Sequence, residues 1–371
     1  MPPPDEVAAA IRALSRPRCA FVYDLGVLRA RAGLLRSALP RTTLLYAVKA
    51  NSHPAVVRTL DGALDGVDVA SSGELSLARS AGARRIVVSG PAKTDALLTE
   101  AAAAGATINV ESAHELRRIP PGTAITIRVN RPGTGPQGSH RMTGVPTQFG
   151  VDPADVPSLL DLARAHHLDV QGFHLHAVSN NLDAAAHAAF IRDALTWSAA
   201  QNVDLRTVNV GGGLGVDYTG NAAFDLSRLA VDVPDGVELI LEPGRFLAAD
   251  AGWYAAEVID LKRTHGRWFA VIRGGTHHFR LSAAWGYSHP FTVLPIDEWP
   301  YSWPRPSVTD VKVDVAGELC TPRDILARDA HVTRLRIGDV LVLPRTGAYG
   351  WDISHHDFLR HDHPEFVILD R

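Results

Sequence analysis

From residue 44 to residue 244 the chain repeats one unit, a short β-branched apolar run followed in most cases by an alanine- and leucine-rich segment of helical period. The runs are LLYAVK (44–49), GVDVA (66–70), RIVVSG (85–90), TINVE (107–111), AITIRVN (124–130), VQGFHLH (170–176), TVNVGGG (207–213) and ELILEPG (238–244). They are nearly continuous in apolar residues, as strands buried on both faces must be. The segments between them include PAVVRTLDGAL, GELSLARSAG, TDALLTEAAAAG, SAHELRRI, DVPSLLDLARAHH and DAAAHAAFIRDALTWSAA, the last five opening near a Ser, Thr or Asp suited to capping. Eight strands separated by helices place the chain in the α/β class with the count of a closed (β/α)8, TIM-like barrel. An open doubly wound sheet satisfies the same alternation and stays open at this point.

Beyond about residue 250 the period changes. WFAVIRGG, VKVDVAG and DVLVLP read as strands joined by turns without regular helices, and the early run AFVYD (20–24) is a candidate to pair with them. The expected division is a barrel over 25–250 and a β-rich domain built from 1–24 plus 251–371. The stretch RPGTGPQGSHRMTGVPTQFG (131–150), dense in Gly and Pro, reads as a loop at the barrel mouth. A net charge of -3 carries no nucleic-acid footprint. Two cysteines, Cys19 and Cys320, build no disulfide framework, and the sequence has no run of membrane-spanning or signal-peptide character. These features predict a cytoplasmic protein without nucleic-acid or membrane partners.

A barrel enzyme carries its chemistry where strands end. Lys49 ends the first run, Asp68 lies near the end of the second and Arg128 near the end of the fifth. His174 and His176 end the sixth, Gly211, Gly212 and Gly213 the seventh, and Glu242, Gly244 and Arg245 the eighth. Successive glycines let backbone N–H groups approach an anion without a Cβ in the way. EPGR adds a carboxylate, a glycine amide and a guanidinium within four residues. A phosphate, together with a ring that needs an acidic partner, uses all three. Taken singly, each residue has a plainer role. Lys49 could be a lysine reaching from a strand end to water, His174 or His176 a core histidine, Asp68 and Arg128 a structural ion pair, and Cys320 a small buried hydrophobe.

Seven segments in order, YAVKAN, VDVASSGEL, GFHLH, NVGGGLG, LEPGR, GELCTPRD and GAYG, resemble those of the fold-type III pyridoxal-phosphate decarboxylases, the group of ornithine, arginine and diaminopimelate decarboxylases with an alanine-racemase-like barrel. The resemblance implies that Lys49 holds pyridoxal 5'-phosphate as a Schiff base, a task suited to a desolvated lysine, and that Glu242 keeps the pyridine nitrogen protonated. It implies that His174 stacks on the ring, that Gly213, Gly244, Arg245 and Tyr349 hold the phosphate, and that Asp68 with Arg128 orders the lysine side. Cys320 would return the proton after carbon dioxide leaves, from the other subunit of a homodimer with shared active sites.

Two departures narrow the substrate. Thr321 stands where ornithine-type relatives place an aspartate and diaminopimelate-type relatives a glutamate, with Asp324 three residues on, so a distal ammonium is less well provided for. Ala177 stands where a serine follows the strand histidine by three residues, with Ser179 nearby. GAYGWDISHHDF and CTPRDILARD resemble the siderophore-assembly branch, whose members act on a diamino acid coupled to citrate. Arg131, Arg141, His277, His278 and Arg323, with Asp324, are then the candidates for holding such a substrate. The alternatives are a decarboxylase of free ornithine, lysine, arginine or diaminopimelate, an amino-acid racemase, and a non-catalytic cofactor carrier. The tail His355, His356, His361 and His363 lacks cysteine and ligand spacing, so no metal is expected there.

Overall fold

The computed structural model describes residues 2–133 and 135–371. They fall into two compact units, one of 28–133, 135–217 and 222–247, the other of 2–27, 218–221 and 248–371. The chain opens with α1 (Asp5–Ala13), β1 (Cys19–Asp24) and α2 (Leu25–Ala38). The barrel strands follow as β2 (Thr43–Ala47), β3 (Gly66–Val69), β4 (Ile86–Val88), β5 (Thr107–Val110) and β6 (Ala124–Arg128). After a short β7 (His140–Arg141) come β8 (Asp169–His174), a second short strand β9 (Val178–Ser179), β10 (Thr207–Asn209) and β11 (Glu238–Leu241).

Strands β2 to β6, β8, β10 and β11 are all parallel, and each pairs with two neighbours. Because β11 returns to pair with β2, the sheet is a closed barrel and the open alternative is excluded. Leu45, Val87 and Ile240 meet in its core. At the foot of the barrel Glu238 accepts from Thr43 Oγ1 on β2 and, in two bonds, from Arg85 just before β4, tying the closing strand across the barrel's first strands.

Between the strands run α3 (Pro54–Ala63), α4 (Ser72–Ala81), α5 (Asp95–Ala103), α6 (Ala113–Leu116), α7 (Val156–Ala165) and α8 (Ala184–Ala199). Ser71, Thr94, Ser112 and Asp183 cap α4, α5, α6 and α8 by accepting an otherwise orphaned amide, as expected of those residue types. Before α7 the capping residue is Asp152, on the preceding turn, and not Asp155. The loop over 131–150 contributes β7, which pairs antiparallel with β9 just beyond the histidine strand.

The other unit is built on an eight-stranded sheet. After α9 (Arg245–Ala248) come β12 (Gly252–Thr264), β13 (Arg267–Ile272), α10 (Leu281–Trp285), β14 (Thr292–Leu294), β15 (Ser307–Ala316), β16 (Ile325–Arg336), β17 (Val340–Pro344) and β18 (Glu365–Leu369). β1 lies between β12 and β18, antiparallel to the first and parallel to the second. Val22, Trp253, Ala255, Val340 and Val342 pack with α1 residues Val7 and Ile11 as its core. No helix among the described residues is long and apolar enough to cross a membrane.

Candidate active site

In the barrel unit the strand ends bring Lys49, Asp68, His174, Gly211, Gly212, Gly213 and Glu242 together. Lys49 follows β2 in a single 3-10 turn, Val48–Ala50, rather than lying on the strand itself. Its side chain is 47% exposed. The turn holds the amine at the rim, where Nζ sits 3.1 Å from Asp68 Oδ2. Tyr46 Oη donates to Asn51 O (2.9 Å) and steadies the turn from beneath.

Asp68 is buried on β3. Burial, and then the charge of Glu242, push its carboxyl up against the pull of Lys49. Glu242 is shifted the other way. Burial alone would raise it, but His174, Lys49 and Asn209 together hold it well below the usual carboxylate range. Asn209 Nδ2 donates to Glu242 Oε1 at 2.6 Å, and His174 Nε2 lies 3.5 Å from Oε2. Two buried carboxylates facing one amine thus divide the work. Glu242 keeps its charge, and Asp68 takes up the first proton.

The two strand histidines occupy different places. His174 is buried, and its ring is engaged with Glu242. His176 lies past the end of β8 and retains a partly exposed edge. Its ring is 6.4 Å from that of His174 and nearly parallel to it. The Gly212 N–H donates to His176 Nδ1 at 3.1 Å, which leaves the ring proton on Nε2. Burial, reinforced by the charges of Arg128 and Lys49, keeps this imidazole neutral.

The glycine loop has no room for side chains. Gly211 and Gly213 have φ of +66° and +103°, and a Cβ on Gly211 would lie 2.2 Å from His176 Nδ1. One on Gly212 would meet Glu242 O at 2.3 Å, and one on Gly213 would meet Val178 O at 2.5 Å. In the next loop, a Cβ on Gly244 would come within 2.8 Å of Ala50 Cβ, so the EPGR segment can approach the lysine turn only as glycine. Arg245 follows directly and is buried.

Other expected residues have different partners. Arg128 pairs with Glu111 (2.9 Å) and lies over the Phe149 ring, so it does not pair with Asp68. Glu111 also accepts from Gly90 N and Gly150 N, fastening three strand-end loops. Arg131 is turned to α8, where it pairs with Asp193 (2.9 Å) and stacks on Trp197. The sequence reading missed Glu111 and Asn209. Both are polar residues within or ending apolar runs, a placement that demands a buried partner.

In the sheet unit, Cys320 is exposed on the turn between β15 and β16. Asp324, expected as a substrate ligand, is buried instead. Its carboxylate accepts from Thr276 N (2.6 Å) and Leu319 N (2.9 Å), so it clasps the Cys320 turn rather than reaching a substrate. His277 is fully buried, with Nε2 3.4 Å from Glu318 Oε1. His278 bonds to Tyr254 Oη. Arg323 is exposed on the same turn as Cys320. Tyr349 has φ of +53°, an unusual conformation for a bulky residue. Among the described residues no cluster of His, Cys, Asp and Glu could hold a metal ion.

Residues 25–249 match the family described as pyridoxal-dependent decarboxylase, pyridoxal binding domain. The chain belongs to the pyridoxal-dependent decarboxylases. A Staphylococcus aureus 2-[(L-alanin-3-ylcarbamoyl)methyl]-2-hydroxybutanedioate decarboxylase is 38% identical over 98% of this chain and 97% of its own length. A Deinococcus radiodurans diaminopimelate decarboxylase is 34% identical over 90% and 86%. The crystal structure of diaminopimelate decarboxylase from M. jannaschii superposes with a TM-score of 0.84 over 97% of this chain and 88% of that one, at 24% identity, and so shares the fold. The cofactor of this decarboxylase is pyridoxal 5'-phosphate. The residues fit it: a primary amine at the rim, an ionised buried carboxylate in Glu242, and a glycine cradle that any side chain would fill.

Proposed function

We propose that this decarboxylase removes the α-carboxylate of an amino acid whose side chain is joined through an amide to a citrate-like polycarboxylate. The observation that carries this reading is the likeness, over nearly the whole of both chains, to a decarboxylase whose name describes such a conjugate. The resemblance to siderophore-assembly enzymes and Thr321 point the same way. Decarboxylation of a free amino acid is the second reading, favoured by the diaminopimelate decarboxylases among the relatives.

Bound pyridoxal 5'-phosphate supplies an electron sink for the pair left behind when the carboxylate departs. In this reading Lys49 would hold the cofactor, with Asp68 beside Nζ to hold or release a proton. Glu242, kept charged by His174 and Asn209, holds the ring nitrogen protonated. Gly213, Gly244 and Arg245 would bind the phosphate, to which the resemblance adds Tyr349, while Gly211 and Gly212 give their N–H groups to Asn209 and His176 and shape the loop. This reading moves the stacking role from His174, whose Nε2 lies 3.5 Å from Glu242, to His176, which keeps an exposed edge. Counted from His176, the serine three residues on is Ser179, so the departure noted at Ala177 disappears. Arg128 steadies the strand-end loops through Glu111, and Cys320 Sγ delivers a proton to the substrate carbon.

The same reading makes the protein a cytoplasmic homodimer in which Cys320 serves the partner's barrel. Mixing two inactive variants tests it. Lys49→Ala and Cys320→Ala should each lose nearly all activity. Unfolded and refolded together, they should recover about a quarter of the wild-type rate, because half the dimers form mixed pairs with one intact site. No recovery would rule out shared sites, and an active Lys49→Ala would remove the catalytic reading.

A further inference from the structure

A cavity of about 700 Å³ lies within the sheet unit, walled by α10, the Cys320 turn and the start of β16. That is within the range of small-molecule sites, about 300–1,000 Å³. Arg280, Arg323, Arg328 and His355 line it, and no aspartate or glutamate does. Arg328 has one carboxylate in reach, Asp314 at 3.8 Å. Among the described residues, the Arg280 and Arg323 side chains have none.

Three guanidinium groups around one space repel one another unless an anion joins them. The wall also holds a hydroxyl without a partner. Ser282 is fully buried and its Oγ makes no hydrogen bond, although a buried polar group is ordinarily satisfied. His355 is less basic than usual, through burial first and then the positive charge of Arg280, which marks the field inside the cavity. Planar guanidinium forks match carboxylates in two parallel bonds, and a cavity without an acid gives no counter-charge to an ammonium.

We propose that this cavity takes a polycarboxylate, that Arg323 and Arg280 are its specificity-determining residues, and that its net positive charge rejects substrates ending in an ammonium. The assignment rests on the function proposed above and deepens it. It accounts for selection against ornithine or lysine by repulsion as well as by the missing acid at Thr321.

Isothermal titration of the full chain with free citrate, tricarballylate and ornithine tests the cavity without any turnover. Citrate and tricarballylate should bind one per chain, more weakly as salt rises, and ornithine should not displace them. Arg323→Ala, on an exposed turn, and Arg280→Ala should each weaken citrate by about tenfold to a hundredfold, the loss expected for one charged hydrogen-bonded contact. Arg323→Lys should retain part of the binding. Unchanged citrate affinity in both alanine variants, or displacement of citrate by ornithine, would overturn the assignment. The reaction itself is scored separately by carbon dioxide release. Turnover of the conjugate without arginine-dependent citrate binding removes the cavity assignment alone. Arginine-dependent citrate binding without turnover of any conjugate removes the reaction and leaves the polycarboxylate site.

Discussion

Glu242 and Asp68 show how two identical carboxyl groups, both buried within reach of Lys49, acquire opposite tendencies. The difference lies in their neighbours. Asn209 donates to Glu242 and His174 lies beside it, both lowering it, whereas Asp68 has burial and the Glu242 charge against it. Glu242→Gln keeps the size and the Asn209 contact but loses the charge that holds a ring nitrogen protonated. Cofactor should still bind, and kcat should fall on the order of 10²-fold or more, as for loss of a positioned proton-holding group. A variant with unchanged kcat would detach Glu242 from the chemistry. Most of this residue set was readable in the sequence because reactive side chains fell at strand ends. The neighbours that tune them were not, since Glu111 and Asn209 acquire meaning only when separate strands lie side by side. The choice between His174 and His176 was equally hidden, because it depends on which ring the Glu242 carboxylate captures.

At the scale of elements, the turn between β15 and β16 is held by one side chain. Asp324 joins Leu319 N on its own turn to Thr276 N, which follows β13, and Gly275 and Gly317 are glycines because a Cβ on either would run into that carboxylate, at 2.6 and 2.1 Å. Asp324→Ala leaves two buried amides without an acceptor. It should lower stability by about 2–6 kcal/mol, about 1–3 kcal/mol for each unsatisfied group. It should also make Cys320 react faster with a thiol reagent under native conditions. Denaturant titration and the alkylation rate check these, and an unperturbed midpoint would show that the clasp is unnecessary. The sequence placed Asp324 beside Cys320 and so suggested a ligand. Its burial comes from residues about fifty positions earlier in the chain, a contact that local pattern does not reveal.

For the whole molecule, the period of apolar runs was enough to anticipate both the barrel and the change to a β-rich unit after it. What it left open was closure, which the pairing of β11 with β2 decides. Each unit also buries histidines that stay neutral. Burial lowers His187 in the barrel unit and His289 in the sheet unit to about 4. Their unfolded counterparts titrate near 6.5. Each therefore contributes stability that is fully present above pH 6.5 and is lost as pH falls toward 4, at about 1.4 kcal/mol per pH unit per histidine within that window. Urea midpoints measured from pH 7 down to pH 4.5 should fall accordingly. A flat profile would mean that both rings take up protons in the fold as readily as in the unfolded chain. The central claim concerns the reaction, and carbon dioxide release by the pyridoxal-phosphate-loaded protein tests it most directly. Citrate-conjugated diaminopropionate is set beside free ornithine, lysine, arginine and diaminopimelate. The account expects release from the conjugate and little from the free amino acids; release from a free basic amino acid, with none from the conjugate, would contradict it.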